Sequence, residues 1–138
     1  MFVNAASVTV PFFTVVVRKS YGLGAQGMAA GSMKTPFWSV AWPTGEFGGM
    51  GLEGAVKLGF RKELEAIEDT EQRRALYEKL VAKMYHNGKA LNTAMTFEID
   101  EVIDPAETRH WISAGLRSAP VVGWRTREAP KRPCVDTW

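Results

Sequence analysis

A chain of 138 residues, 46% hydrophobic and 23% charged, has the length and composition of one folded domain and not of a disordered segment. Its 17 basic and 15 acidic residues leave a net charge of +2, too small a bias to mark a nucleic-acid surface. The single cysteine, Cys134, excludes an intrachain disulfide and a cysteine-ligated zinc site.

Met1 to Val17 is apolar and almost uncharged, yet its pattern is not the one expected of a leader or a membrane span. Pro11 splits it, Arg18 and Lys19 follow it instead of preceding it, and it is shorter than the about 20 residues a span requires. It reads as a short helix over Met1–Ala6 and a fully buried strand over Pro11–Val17. The uncapped start is expected of a chain that begins inside an element of something longer. A glycine-rich turn over Ser20–Gly24 then opens a tightly packed helix over Ala25–Ala30. Phe37–Trp42 predicts a second strand, stopped by Pro43. Gly45, Gly48, Gly49, Gly51 and Gly54 imply close backbone approach or positive φ, and a helix follows from Leu52 toward Leu64.

A longer helix is predicted over Glu71–Asn87, capped by Asp69 or Thr70 and stopped at Asn87-Gly88. Its apolar residues Leu76, Tyr77, Leu80, Val81 and Met84 form a core-facing stripe. Phe97–Ile103 reads as extended. Asp104-Pro105-Ala106-Glu107 combines an acidic cap, a first-turn proline and a glutamate three residues after the cap, starting a helix that runs to about Leu116. Residues 120–138 read as an irregular tail with a solvated basic cluster (Arg125, Arg127, Lys131, Arg132). The order of elements makes an α/β fold with no internal repeat.

The most informative segment is Arg18–Met28, RKSYGLGAQGM, in which a strand feeds a glycine turn and then a helix. The first N–H groups of such a helix have no partners in the helix and lie at its positive end. On local grounds two readings stay open, a plain strand-to-helix turn or a pair of donors for a negatively charged oxygen. It is not a phosphate loop, because Lys19 precedes the glycines. Gly22, Gly24 and Gly27 fit the spacing of a dinucleotide fingerprint, but the first acidic residue after them, Glu46, falls in the glycine-rich stretch beyond the second expected strand.

Among side chains, Glu46 is a candidate general base, while Glu53 reads as a charge in the first turn of a helix. Asp100, Glu101 and Asp104 resemble an acidic ligand set, but Asp104 already serves as a cap, and no metal is expected. His86 and His110 read as surface residues on helices.

RKSYGLGAQGM, AWPTGEFGGMGLEGAV (Ala41–Val56) and FEIDEVIDPAETRHW (Phe97–Trp111) together resemble the carboxyltransferase subunits of acetyl-, propionyl- and methylcrotonyl-CoA carboxylases, in order and over essentially the whole chain. The resemblance implies a crotonase-like β-β-α superhelix, with residues 1–138 forming the C-terminal one of two subdomains and the N-terminal subdomain absent. It implies that the backbone N–H groups of Leu23 and Gly24 bind the ureido oxygen of biotin, with Tyr21, Gly22, Ala25, Trp42, Gly45 and Met50 around it. Leu23 stands where many family members have glycine. The implied cofactor is biotin, as carboxybiotin on a carrier protein, with an acyl-CoA co-substrate held by the other half. The implied partners are an N-terminal carboxyltransferase half, a biotin carboxyl carrier protein and a biotin carboxylase subunit, in a cytoplasmic homo-oligomer that engages neither nucleic acid nor membrane. The isolated half is expected to be inactive. Two alternatives stand beside this one: a self-contained crotonase-type hydratase or decarboxylase using Glu46, and a non-catalytic oligomerising remnant.

Overall fold

The computed structural model describes residues 10–119, together with Ala5 and Val8. The expected helix over Met1–Ala6 (Ala5 apart) and the tail from 120 to 138, with Cys134 and the basic cluster, lie outside the described residues.

Two strands and a helix come first: β1 (Phe13–Val16), β2 (Lys19–Tyr21) and α1 (Gly22–Met28). The same unit follows as β3 (Trp38–Ala41), β4 (Glu46–Gly48) and α2 (Leu52–Gly59). β1 pairs with β3 and β2 with β4, both parallel, in registers that place Phe13 beside Trp38 and Lys19 beside Glu46. Each β-β-α turn thus adds one strand to each of two sheets, a repeat of backbone with no repeat of sequence behind it. β5 (Glu101–Val102) completes the order β1-β3-β5 in the first sheet, also parallel. Between the second turn and β5 lie α3 (Arg61–Glu65), α4 (Thr70–Asn87) and α5 (Ala90–Met95), and after β5 a 3-10 turn (Pro105–Glu107) leads into α6 (Thr108–Ser118).

The central strand carries the core. All four residues of β3 are buried, and the polar one, Ser39, is fully satisfied: its amide donates to Asp100 Oδ2 (2.7 Å) and its hydroxyl to the Met33 carbonyl (2.5 Å). On one face Ala41 packs with Val16, Ala90 and Ile99; on the other Trp38 and Val40 pack with Ile103, Phe13 and Trp111. α6 covers that second face at Gly115, where a Cβ would stand 2.6 Å from Trp38 Nε1 and 2.7 Å from a Phe13 ring carbon. The Trp38 indole in turn stacks on Phe13 at 4.7 Å between ring centres.

Several expectations change here. β1 is not fully buried: Val16 is, but Phe13, Thr14 and Val15 are half-buried and Val17 is 46% exposed, because β1 pairs on one side only. The first helix begins at Gly22 and not at Ala25, so Ser20 and Tyr21 belong to β2. β4 forms within the glycine-rich segment, where no strand was expected, because main-chain pairing with β2 on one side and an antiparallel bridge to Lys89 on the other hold it extended. Its glycines have negative φ, and close approach is confined to Gly45, walled by Trp42 O, Ala41 and Ala90, and Gly48, walled by Leu52 and Met50 O. The helix from Leu52 breaks at Phe60 into α2 and α3.

α4 starts at Thr70 with Asp69 as its cap, accepting from the Glu71 amide at 2.8 Å. Its apolar stripe is not core-facing. Leu76, Tyr77, Leu80, Val81 and Met84 are half-buried and no residue of the helix is fully buried, since the helix lies on the outside of α2. The extended reading of Phe97–Ile103 holds only for Glu101–Val102. Phe97 takes φ +60, its amide donating to Ala94 O and that of Glu98 to Thr93 O, which closes the end of α5 as a Schellman motif. A phenylalanine in that conformation is strained by about 1–2 kcal/mol. It leaves the ring 80% exposed while Ile99 turns inward. Asp104 accepts from the Ala106 amide (2.8 Å) as the cap of the 3-10 turn that leads into α6.

Candidate functional site

β2 delivers the chain to the mouth of α1, and Gly22 makes the corner. Its φ is +62, and a Cβ there would sit 3.0 Å from the Gly49 carbonyl oxygen, so the position demands glycine on both counts. Leu23 and Gly24 follow as the second and third helical residues. Their amides precede the first bonds of the helical ladder, and no acceptor among the described residues takes them. The space over Gly24 is open, with nothing within 4 Å of where a Cβ would be, and Leu23 is 71% exposed.

These residues border an open cleft of about 750 Å³. One wall is the start of α1 (Gly22, Leu23, Ala25, Gln26) with the Gly48-Gly49 turn after β4. Across from it stand His86, Asn87 and Gly88 at the end of α4, and Asn92, Thr93 and Thr96 of α5, with Glu98 beyond; Ser20, Met33 and Phe47 complete the lining. The far wall is held to the near one by main chain: the Phe47 amide donates to Gly88 O (2.7 Å) and the Ala90 amide to Gly45 O (2.9 Å).

The expected site residues divide. Gly22, Leu23 and Ala25 line the cleft, and Gly24 adjoins them with its free amide. Tyr21 stands at the N-cap of α1 but turns its phenol away, donating to Glu46 Oε2 at 2.8 Å. Met50 lies half-exposed beside the Gly22 corner without lining the cleft. Trp42 is elsewhere: its indole donates to Thr108 Oγ1 (3.0 Å) and packs with the Trp38 cluster, tying β3 to α6. Gly45 is buried against Trp42 O, Ala41 and Ala90, a contact of the core and not of the cleft. His86, expected only as a surface residue, is exposed but also lines the cleft. Asn87, Asn92, Thr93 and Glu98 were not singled out from sequence, since no local pattern marks them; the Asn87-Gly88 helix stop is the one signal that pointed near them.

Neither candidate base is free. Glu46 accepts from Tyr21 and borders a smaller cavity with Val17, Arg18 and Thr44. Glu53, in the first turn of α2, accepts from the Tyr85 hydroxyl at 2.6 Å. Burial, then the Glu46 hydrogen bond, pushes the Tyr21 phenol well above its ordinary value. The Glu53 bond raises that of Tyr85, and the same bond holds Glu53 below the ordinary glutamate value. Asp100 accepts from Ser39 N and Asp104 from Ala106 N, so both carboxylates have structural partners.

A phenol whose pKa is raised on folding adds stability that is complete below the ordinary phenol value, about 10, and is lost as pH rises through the folded value. Absorbance titration of the phenolate is therefore expected to show late ionisation that Tyr21→Phe reduces, together with loss of folded signal at high pH. Ionisation of all three tyrosines at the free-phenol value would overturn this.

Among the described residues no helix is long and apolar enough to cross a membrane. Residues 1–132 match the carboxyl transferase domain family. The chain is 41% identical over 112 residues to the methylmalonyl-CoA carboxyltransferase 12S subunit of Propionibacterium freudenreichii subsp. shermanii, a match covering 78% of this chain and 20% of that protein. It is 34% identical over 123 residues to the biotin-dependent acetyl-/propionyl-coenzyme A carboxylase beta6 subunit of Mycobacterium tuberculosis, covering 88% of this chain and 26% of that one. The chain thus spans about a quarter or less of the length of these relatives. Among solved structures, the transcarboxylase 12S hexamer with methylmalonyl-coenzyme A bound superposes at a TM-score of 0.75 and 29% identity, over 96% of this chain and 25% of that one. A single-chain, multi-domain long-chain acyl-CoA carboxylase superposes at 0.68 and 52% identity, over 82% of this chain and 11% of that one. The β-β-α turns are those of the crotonase-like fold of carboxyltransferase subunits. Its sequence and its fold agree, and this chain belongs to the carboxyl transferase domain family.

Proposed function

We propose that this chain supplies the carboxybiotin half of a carboxyltransferase active site, whose acyl-CoA half lies in an N-terminal carboxyltransferase part. The observation that supports this most directly is the pair of unpartnered amides, Leu23 and Gly24, beside a cleft open to a carbonyl-like oxygen. Bound carboxybiotin supplies the carboxyl group and, once that group has left, a ureido nitrogen able to take the α-proton of an acyl-CoA. The chain's own part is electrostatic. Two fixed N–H groups at the positive end of α1 meet negative charge on the ureido oxygen without any reorganisation, and one such donor contributes roughly 3–4 kcal/mol to lowering a barrier. Leu23 in place of glycine leaves that donor in the backbone while narrowing the approach. No side-chain base enters, and both candidate carboxylates already accept from tyrosines.

Under this reading the further partners are a biotin carboxyl carrier protein and a biotin carboxylase subunit, in a cytoplasmic homo-oligomer, and the isolated chain does not turn over. Two measurements test it. Titration with biotin is expected to move the backbone amide resonances of Leu23 and Gly24. Mixing the chain with an N-terminal carboxyltransferase part, a carboxylated carrier and an acyl-CoA is expected to yield carboxylated acyl-CoA. No product from any pairing, or tight binding of acetyl-CoA by this chain alone, overturns the reading, and the second result favours a self-contained hydratase.

A further inference from the structure

Six polar residues stand across the cleft from α1, and their side chains divide by what they already bond. Asn92 Nδ2 donates to His86 O (2.7 Å), Thr93 Oγ1 to Lys89 O (3.3 Å) and Thr96 Oγ1 to Thr93 O (2.9 Å), so these three are committed to the turn from α4 through α5. The side chains of His86, Asn87 and Glu98 are exposed and have no hydrogen-bond or ion-pair partner among the described residues. Glu98 is set on the cleft by a strained corner. Phe97 takes φ +60 and the Glu98 amide donates to Thr93 O (3.2 Å), which sends Ile99 into the core and leaves Glu98 on the wall. The Phe97 ring is itself 80% exposed, so core packing does not account for the strain, and strain kept beside a cleft points to use of the cleft. The wall therefore has two unlike ends. His86 and Asn87, at the end of α4, offer N–H donors, and Glu98, past α5, offers a lone carboxylate. Carbonyls that would repel an anion at the donor end are occupied, Met84 O by the Gly88 amide and His86 O by Asn92.

We propose that this wall tells the two nitrogens of the ureido ring apart: Asn87, with His86 beside it, donates to the carboxylate carried on one nitrogen, and Glu98 accepts from the N–H of the other. Carboxybiotin has three polar edges of different kinds: an oxygen that accepts, an anionic group on one nitrogen and a donor on the other. The cleft answers each in kind, with main-chain amides for the oxygen, side-chain donors at the end of α4 for the anion and a carboxylate for the N–H. Exchanging the nitrogens would set the ligand's carboxylate against Glu98, so one orientation fits and the other is repelled. Asn87 suits both states of the cofactor. Its Nδ2 donates to the carboxylate while that group is present, and a turn of the amide presents Oδ1 to the N–H left behind when it has gone. An aspartate in its place would serve the second state and not the first. The assignment rests on the carboxybiotin reading and adds to it which way round the ring lies.

The experiment is titration of the 138-residue chain and its variants with two probes, followed by amide resonances. Biotinamide carries N–H on both ureido nitrogens. Its N1-carboxymethyl derivative carries an anionic arm on one of them, a stable stand-in for the labile carboxyl group. In the unchanged chain both probes are expected to move the Leu23 and Gly24 amides, and the anionic one to move the side-chain amide of Asn87 as well. Asn87→Asp, isosteric and at an exposed position, is expected to weaken the anionic probe at least about tenfold while biotinamide changes by less than about twofold. Glu98→Ala is expected to weaken both probes about tenfold, since both keep the second N–H. Gln72→Glu makes the same change of charge at the far end of α4, beyond a screening length, and is expected to leave both probes unaffected. Equal binding of the two probes by Asn87→Asp, equal weakening of both, or full affinity for both in Glu98→Ala overturns the wall's assignment while the shifts at Leu23 and Gly24 still support the carboxybiotin reading. No shift at those amides with either probe in the unchanged chain overturns the carboxybiotin reading and the wall's role with it.

Discussion

Replacing Leu23 by proline is expected to lower carboxyl transfer by about 10²–10³ in kcat while leaving the melting curve of the chain in place. The two halves of that expectation come from the same fact, the position of Leu23 as the second residue of α1. Proline is tolerated in a first helical turn because its missing N–H is one the helix does not use, and its fixed φ near −65° suits the position. Here the N–H has no acceptor within the described residues and the side chain is 71% exposed, so neither a bond nor a packing contact of the fold is removed. What disappears is one of the two donors that the proposed function assigns to the ureido oxygen. In the reconstituted assay, Leu23→Pro should reduce kcat far more than it changes KM for the acyl-CoA, because the lost interaction strengthens as charge develops and the acyl-CoA is held elsewhere. Gly24→Val tests the same place from the other side. Both donors remain, but a branched side chain fills space that is empty within 4 Å, so binding of the biotin group is expected to fail first. A native rate for Leu23→Pro in an assay where the unchanged chain is active removes the amide pair from the mechanism.

The parts of this fold that were legible in the sequence are those fixed by chemistry local in the chain. Asp104-Pro105 starts a helical turn wherever it occurs, because the carboxylate accepts a free amide and proline fits the first turn, and Asp104 does accept from Ala106 N. The Gly22–Gly24 turn was legible for a related reason: a chain that must pass under the Gly49 carbonyl and enter a helix leaves glycine as its trace. What was hidden depends on partners far along the chain. β4 is three residues long, one of them glycine, and is extended only because β2 and Lys89 hold its two sides. The burial of β1 could not be read from Val15-Val16-Val17, since a run of valines records the environment of the completed sheet and not which neighbours are present. Trp42 shows the same limit at the level of one side chain. It was read as the last residue of the strand and lies just past the end of β3, and which face it takes is settled by Thr108, 66 residues away. The cleft was half legible for this reason: its near wall comes from two glycine-rich motifs that stand out in the sequence, and its far wall is brought across by the Phe47–Gly88 bond.

That bond makes Gly88 the position where substitution is expected to damage stability most. Gly88 ends α4 with an ordinary backbone conformation, φ −79, so left-handed strain is not the reason for glycine there. The reason is contact. A Cβ at Gly88 would collide with the Phe47 carbonyl oxygen and stand 3.3 Å from Met84 O, and both are backbone atoms. At Gly115 the atoms in the way belong to the side chains of Trp38 and Phe13, which can give slightly; at Gly88 relief requires moving β4 or the end of α4. Either movement stretches the Phe47 N–H to Gly88 O bond and its neighbour from Ala90 N to Gly45 O, which together hold the second edge of β4. Overpacking of this kind costs about 1–3 kcal/mol, and with a strained hydrogen bond added Gly88→Ala is expected to reach the top of that range. The helix propensity gained from alanine, at most about 1 kcal/mol at a helix end, does not offset it. For a domain of this size the melting temperature should fall by about 10 °C. Because the same bonds hold the far wall of the cleft, biotin-induced shifts at Leu23 and Gly24 should weaken in Gly88→Ala even well below its melting point. A variant as stable as the parent would mean that β4 and the end of α4 are not held against each other as the Phe47–Gly88 bond requires.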